Sequence, residues 1–115
     1  MKKTILNIRP NGEGAATLLL YGDVGEGSPV NAGRVAAELA AMVAAYKKID
    51  VRINSNGGEV FTGIAIYNAL KASKADVTIY IDGIAASIAG VIALCGRPLY
   101  MSQYARLMLH QVSGS

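Results

Sequence analysis

The feature that most constrains this chain is an alternation of two periodicities through its middle. Ile49 to Asn54 puts Val51 and Ile53 two residues apart, the period of a strand with one buried face. Val60 to Ala72 follows as a helix, with Ile64, Ile66, Tyr67 and Leu70 as its expected core, and Asp76 to Ile81 returns to strand. Upstream, Asn31 is placed to cap a helix running to about Tyr46, in which Val35, Leu39, Met42 and Val43 fall at helical spacing. Strands that alternate with helices predict an α/β fold: a mostly parallel sheet flanked by helices and joined by right-handed crossovers. In such folds, chemistry gathers at the carboxyl ends of the strands, where loops lead into helices.

The flanking segments extend this pattern. Thr4 to Arg9 and Ala16 to Tyr21 read as two strands of a hairpin, with turn chemistry from Pro10 to Gly14 between them. Gly22 to Pro29 is a loop. Ile84 to Leu94 is apolar all round, which predicts a fully buried helix, broken by Gly96-Arg97-Pro98. Leu99 to Met101 and Arg106 to His110 read as short strands, and Gln111 to Ser115 as a polar tail.

Composition narrows the function classes. A chain of 115 residues is one domain, and 52% hydrophobic against 17% charged residues excludes disorder. The apolar excess requires a deeply buried core or a face that meets another subunit. The net charge of +3 comes from scattered single or paired basic residues, which excludes a nucleic-acid footprint. Cys95 is the only cysteine, so no disulfide within the chain and no cysteine-based metal cluster can form; its apolar neighbours read as buried packing. The opening Met1-Lys2-Lys3 resembles a signal peptide, but Arg9, Pro10, Asn11 and Gly12 interrupt it before an apolar segment develops. The longest nearly apolar stretch, Ile84 to Leu94, is shorter than the roughly 20 residues that cross a bilayer. The expectation is a soluble, cytoplasmic protein that makes no use of a membrane.

Three segments fall where strands end. Ser55-Asn56-Gly57-Gly58 follows the strand ending at Asn54, and paired glycines free the backbone to turn its N–H groups toward an anion or a developing oxyanion. An ordinary glycine turn is the alternative, and the segment lacks the Gly-Lys-Ser/Thr ending of a phosphate loop. In Asp82-Gly83-Ile84-Ala85-Ala86-Ser87, Ser87 is expected in the first turn of the buried helix, either exposing its hydroxyl to the strand ends or bonding back to a helix carbonyl. His110 ends the apolar run Arg106-Leu107-Met108-Leu109 and is the only histidine, so any Ser–His catalysis in this chain uses it. One histidine and one cysteine leave too few ligands for zinc. An oxyanion turn, a serine and a histidine are together the parts of a serine hydrolase. The arrangement is not the Gly-x-Ser-x-Gly elbow, because Ala85 and Ala89 stand where that motif has glycines.

These segments resemble the Clp protease proteolytic subunit family (ClpP). Ile53-Asn54-Ser55-Asn56-Gly57-Gly58 is similar to that family's Ile-Asn-Ser-Pro-Gly-Gly turn, Gly83-Ile84-Ala85-Ala86-Ser87 to its Gly-x-Ala-Ala-Ser segment, and Leu107-Met108-Leu109-His110-Gln111 to its Met-Ile-His-Gln segment. Tyr67 also falls where the family often carries tyrosine. The match runs from about Leu18 to His110. The resemblance implies the ClpP/crotonase-like fold of repeated β-β-α units. It implies Ser87 as nucleophile, His110 as general base, and the backbone N–H groups of Gly58 and Ile88 as the oxyanion hole. It implies no metal or organic cofactor, peptide or protein substrates, a homo-oligomeric ring and an AAA+ ATPase partner. The 23-residue separation of Ser87 and His110 resembles the phage-type branch, the ClpP-like head-maturation proteases.

Two departures accompany the match. Asn56 stands where the family has proline, and asparagine still tolerates turn conformations. The family's third catalytic residue, an aspartate, comes well after the histidine, in a region that includes the handle joining two rings. This chain stops five residues past His110, and Asp23, Asp50, Asp76 and Asp82 all precede it, so the expectation is a single head domain cut before the aspartate and the handle. Three other readings stay open. An inactive assembly module would keep the fold for ring contacts. A crotonase-type acyl-CoA enzyme shares the oxyanion device but has no need of this serine and histidine. A signal-peptide peptidase with a Ser–Lys pair needs a lysine after the serine, and none follows Lys74.

Overall fold

The computed structural model describes residues 9, 10 and 14–109. The predicted strand at Thr4 to Arg9 and the turn after it therefore lie largely outside the described residues, as do His110 and the tail. Six strands and three helices are described: β1 (Arg9–Pro10), β2 (Ala15–Tyr21), α1 (Ala32–Ala45), β3 (Lys48–Ser55), α2 (Val60–Ala72), β4 (Asp76–Ala86), α3 (Ile88–Ala93), β5 (Leu99–Met101) and β6 (Arg106–Met108). They form one sheet in the order β1-β2-β3-β4-β5, with β6 also against β4. The β1–β2 pair is antiparallel, as a hairpin requires, and every other pairing is parallel.

The period-2 pattern decides which face of the sheet is buried. Leu18 and Leu20 of β2, Ile49, Val51 and Ile53 of β3, and Val77, Ile79 and Ile81 of β4 are buried together with Leu39, Met42, Ile66, Leu70 and Ile92 of the helices. Among the alternate positions, Asp50 and Arg52 of β3 and Thr78, Tyr80 and Asp82 of β4 are only half-buried and polar or aromatic. The helices therefore cover one face, and area removed from water at roughly 25 cal/mol per Å² supplies the driving force there. Local side chains mark the start of α1 and the end of α2. The Asn31 side chain accepts from the Arg34 N–H at 2.9 Å, capping α1 as expected. At the far end of α2, the Arg97 guanidinium donates to the carbonyls of Leu70 and Lys71 in the last turn and of Ser73 and Ala75 just beyond it.

The structure moves three expected features. The Ile84 to Leu94 helix is replaced by strand through Ala86 and a helix of only Ile88–Ala93. That helix is not buried all round, since Val91 and Leu94 are exposed. The core face of α2 is Thr62, Gly63, Ile66 and Leu70, with Ile64 turned outward. Gly63 permits this packing: a Cβ there would lie 2.1 Å from Cγ1 of Ile88. Val43 of α1 is likewise exposed, although Val35, Leu39 and Met42 are buried as predicted. Among the described residues no helix is long and apolar enough to cross a membrane.

Candidate active site

The carboxyl ends of β3 and β4 meet at Ser87. Strand β4 does not run smoothly to it. The β3–β4 register passes from Ile53↔Ile81 directly to Ser55↔Ala85, so β4 holds two extra residues between those pairs. Beyond the irregularity β4 pairs with β6, with Ala85 opposite Leu107 and Ala86 opposite Met108. The Ser87 N–H then donates to the Met108 carbonyl at 2.8 Å.

Ser87 stands at the junction itself, as the residue before α3, with φ 58° and ψ −127°. It is the only non-glycine residue with positive φ among those described. A side chain rarely adopts this conformation; it costs on the order of 1–3 kcal/mol and persists only where the surroundings impose it. The imposed turn is what sets Ser87 outside the helix rather than in its first turn, where the sequence placed it. Its half-buried side chain makes no capping hydrogen bond to α3. Helix α3 is only six residues long, so its influence on charge at Ser87 comes from individual N–H groups rather than an extended dipole.

The Gly57-Gly58 turn packs directly on this junction. Gly57 has φ +99°, and a Cβ there would lie 2.6 Å from the Ala86 carbonyl oxygen, 2.9 Å from the Ser87 Cβ and 3.3 Å from the Ile88 nitrogen. Gly58 has φ +152°, and its Cβ would lie 2.0 Å from the Val24 carbonyl oxygen. Both positions require glycine for contact and for conformation. The Ser55 hydroxyl tightens the turn by accepting from the Gly57 N–H at 3.0 Å. Val24, in the loop after β2, forms a parallel bridge to Gly58. Its N–H donates to the Gly57 carbonyl at 2.9 Å and its carbonyl accepts from Glu59 at 2.8 Å. In such a bridge the N–H of Gly58 itself is directed to the opposite edge, away from Val24. The N–H of Ile88 opens α3 and has no acceptor one turn back within the helix.

Beside the turn an open cleft of about 430 Å³ lies among Tyr21, Asp23, Asn54, Asn56 and Ile84. The polar face of the sheet continues from it. Asp82 accepts from Nε and Nη2 of Arg52 at 2.8–3.1 Å and from the Tyr21 hydroxyl at 2.5 Å. The Arg52 guanidinium lies 4.6 Å from the Tyr80 ring centre, and Tyr80 stacks on Tyr100 at 5.5 Å. Burial opposes ionisation of Asp82, but the hydrogen bonds from Arg52 and Tyr21 and the Arg52 charge hold its carboxyl below the ordinary value. Burial, then the hydrogen bond to Asp82, pushes the Tyr21 hydroxyl up. The sequence reading found neither this network nor Val24; its available signal was the polar alternation Asp50, Arg52, Asn54 on β3. Asp82 is thereby committed to Arg52 and Tyr21. Cys95 is buried, and burial pushes its thiol up, as the packing reading anticipates.

The Clp protease family model matches residues 17–115. The chain belongs to the Clp protease family. It is 39% identical over 103 residues to the ATP-dependent Clp protease proteolytic subunit 3 of Rhodococcus jostii, a match covering 84% of this chain and 48% of that protein. It is 35% identical over 95 residues to subunit 1 of Mycobacterium leprae, covering 76% and 48%. The structure of ClpP1 from Listeria monocytogenes superposes with a TM-score of 0.63 at 30% identity, over 69% of this chain and 45% of that one. The fold is thus the ClpP/crotonase-like fold. The chain spans about half the length of the curated relatives it matches.

Proposed function

We propose that this chain carries the nucleophile and oxyanion hole of a Clp-type serine endopeptidase. The observation that carries the reading is Ser87 held at positive φ on a strand-to-helix turn, with the Gly57-Gly58 turn packed against it. In the mechanism, Ser87 Oγ attacks the carbonyl carbon of a peptide bond as His110 takes its proton. The negative charge moves to the carbonyl oxygen, toward the N–H groups of Gly58 and Ile88. Collapse breaks the C–N bond, His110 returns the proton to the leaving amine, and an acyl-enzyme remains on Ser87. Water, deprotonated by His110, then attacks the ester carbonyl; collapse breaks the C–O bond, His110 returns the proton to Ser87 Oγ, and the acid is released. His110 lies outside the described residues. It follows Met108 by two positions in the sequence. Met108 is the residue hydrogen-bonded to Ser87.

Asp82 does not serve as the third member of this triad, because Arg52 and Tyr21 occupy its carboxylate. We assign that role to an aspartate after His110 in the longer family pattern. Without an orienting acid, a Ser–His pair loses about 10⁴ in rate. The substrates implied by the resemblance are peptides or proteins. The exposed Phe61 and Tyr104, 86% and 85% accessible, agree with burial between copies in a ring. An AAA+ ATPase partner enters through the resemblance alone.

The test is intact-mass spectrometry after a fluorophosphonate serine probe, with Ser87→Ala alongside. One adduct on the parent and none on the variant is the expected result. A folded parent that takes no adduct, or a variant that still takes one, overturns the assignment of Ser87.

A further inference from the structure

The irregular stretch of β4 lies between a regular ladder and Ser87, and side chains of β2 and β3 hold it. Where two extra residues enter β4, the β3 ladder beside Asp82, Gly83 and Ile84 is interrupted, while Ile84 begins the pairing with β6, opposite Arg106. Three contacts replace it. Asp82 is gripped by both donors of the Arg52 fork and by Tyr21. The Asn54 side-chain oxygen accepts from the Ile84 N–H at 3.1 Å. Gly83 lies so close to Asn54 that a Cβ would come within 2.5 Å of that same oxygen. Arg52 is itself braced against Tyr80. A bidentate arginine–carboxylate pair fixes direction as well as distance, and a bulge of this kind re-aims the strand that carries it.

We propose that Arg52, Asp82, Tyr21 and Asn54 form a clamp on the β4 irregularity that positions Ser87 against the Gly57-Gly58 turn. These are positioning residues: they act on Ser87 through the Gly83–Ala86 backbone. The catalytic consequence rests on the reading of Ser87 as nucleophile, whereas the structural claim does not. Sequence alone conceals the clamp, since its members lie on three strands and up to 61 residues apart.

The test pairs amide hydrogen exchange with the fluorophosphonate reaction rate in Asp82→Asn, which keeps the side-chain shape and removes the charge. The expected result is faster exchange at Ile84 and Ser87, by about 10-fold or more, with Val77 and Ile79 of the same strand unchanged. The adduct rate at Ser87 falls by about 10-fold, because small misplacements of a nucleophile are costly. Arg52→Lys keeps the cation but loses the fork, and falls between parent and Asp82→Asn in both readouts. It also serves as the second variant if Asp82→Asn does not fold. Unchanged exchange at Ile84 and Ser87, or a uniform rise along all of β4, overturns the clamp. If the parent takes no adduct, the nucleophile reading has failed, and the exchange pattern still decides the clamp by itself.

Discussion

The two halves of β4 are held by different physics. From Val77 to Ile81 the strand pairs in register with β3, and near its end with β5, and its inward side chains are fully buried. From Asp82 to Ala86 the β3 register is broken and β5 is replaced by β6. Polar side chains hold the bulge there, and the half ends at a strained serine. The first half supplies stability through area and ladder hydrogen bonds. The second half spends some of it to hold a strained turn at Ser87, the division expected for the nucleophile proposed above.

Substitutions separate the halves, and the largest effect belongs to the first. Ile79→Ala removes a side chain with no exposed surface and costs about 2–5 kcal/mol in denaturant unfolding, equally at every probe of the fold. A loss below about 1 kcal/mol would place the stabilising core elsewhere. Gly83→Ala drives a Cβ into the Asn54 amide and costs about 1–3 kcal/mol. Its cost concentrates as faster amide exchange from Ile84 to Ser87; a parent-like exchange pattern would mean that Asn54 moves aside freely. Ser87→Gly and Ser87→Ala both delete the hydroxyl, but only glycine relieves φ 58°. The glycine variant is more stable than the alanine variant by about 1 kcal/mol in paired melts, and equal stability would show that the turn is unstrained.

Acid provides the gentlest separation. The folded-state pKa of Asp82 lies below its ordinary value of 3.8, so its contribution is complete above that value and drains away as pH falls through the lower folded one. Arg52 is 37% exposed at its side chain, so screening limits the effect to below about 1 kcal/mol. In acid titration of stability, the parent converges on Asp82→Asn as pH falls; parallel curves would remove Asp82 from the account.

The same contrast explains what was legible in the sequence. Ile49-Asp50-Val51-Arg52-Ile53 and Val77-Thr78-Ile79-Tyr80-Ile81 alternate cleanly, and both are strands, with Val51 and Ile53 on one buried face as read. Asn31 announces its helix through its own cap. Gly83-Ile84-Ala85-Ala86 offered no such signal: a short run of small apolar residues fits a buried helix or a buried strand equally. Pairing with Arg106–Met108, some twenty residues later, decides it as strand. The Ser55–Gly58 turn was legible because two adjacent glycines carry a conformational meaning, and both occupy positive φ. The positive φ of Ser87 was not legible, because it is imposed by tertiary contacts from Gly57 and Met108 rather than by its own preference. Ile64 and Val43 fit helical spacing yet face outward, since periodicity locates an apolar stripe without saying how wide it is.

The most direct measurement is a crystal structure of the Ser87 fluorophosphonate adduct, in which the phosphonyl oxygen stands where the oxyanion forms. The account predicts that oxygen at about 3 Å from both the Gly58 and Ile88 nitrogens, with Ser87 keeping its positive φ. An oxygen directed to solvent, or a turn that unwinds into α3 on modification, would contradict it.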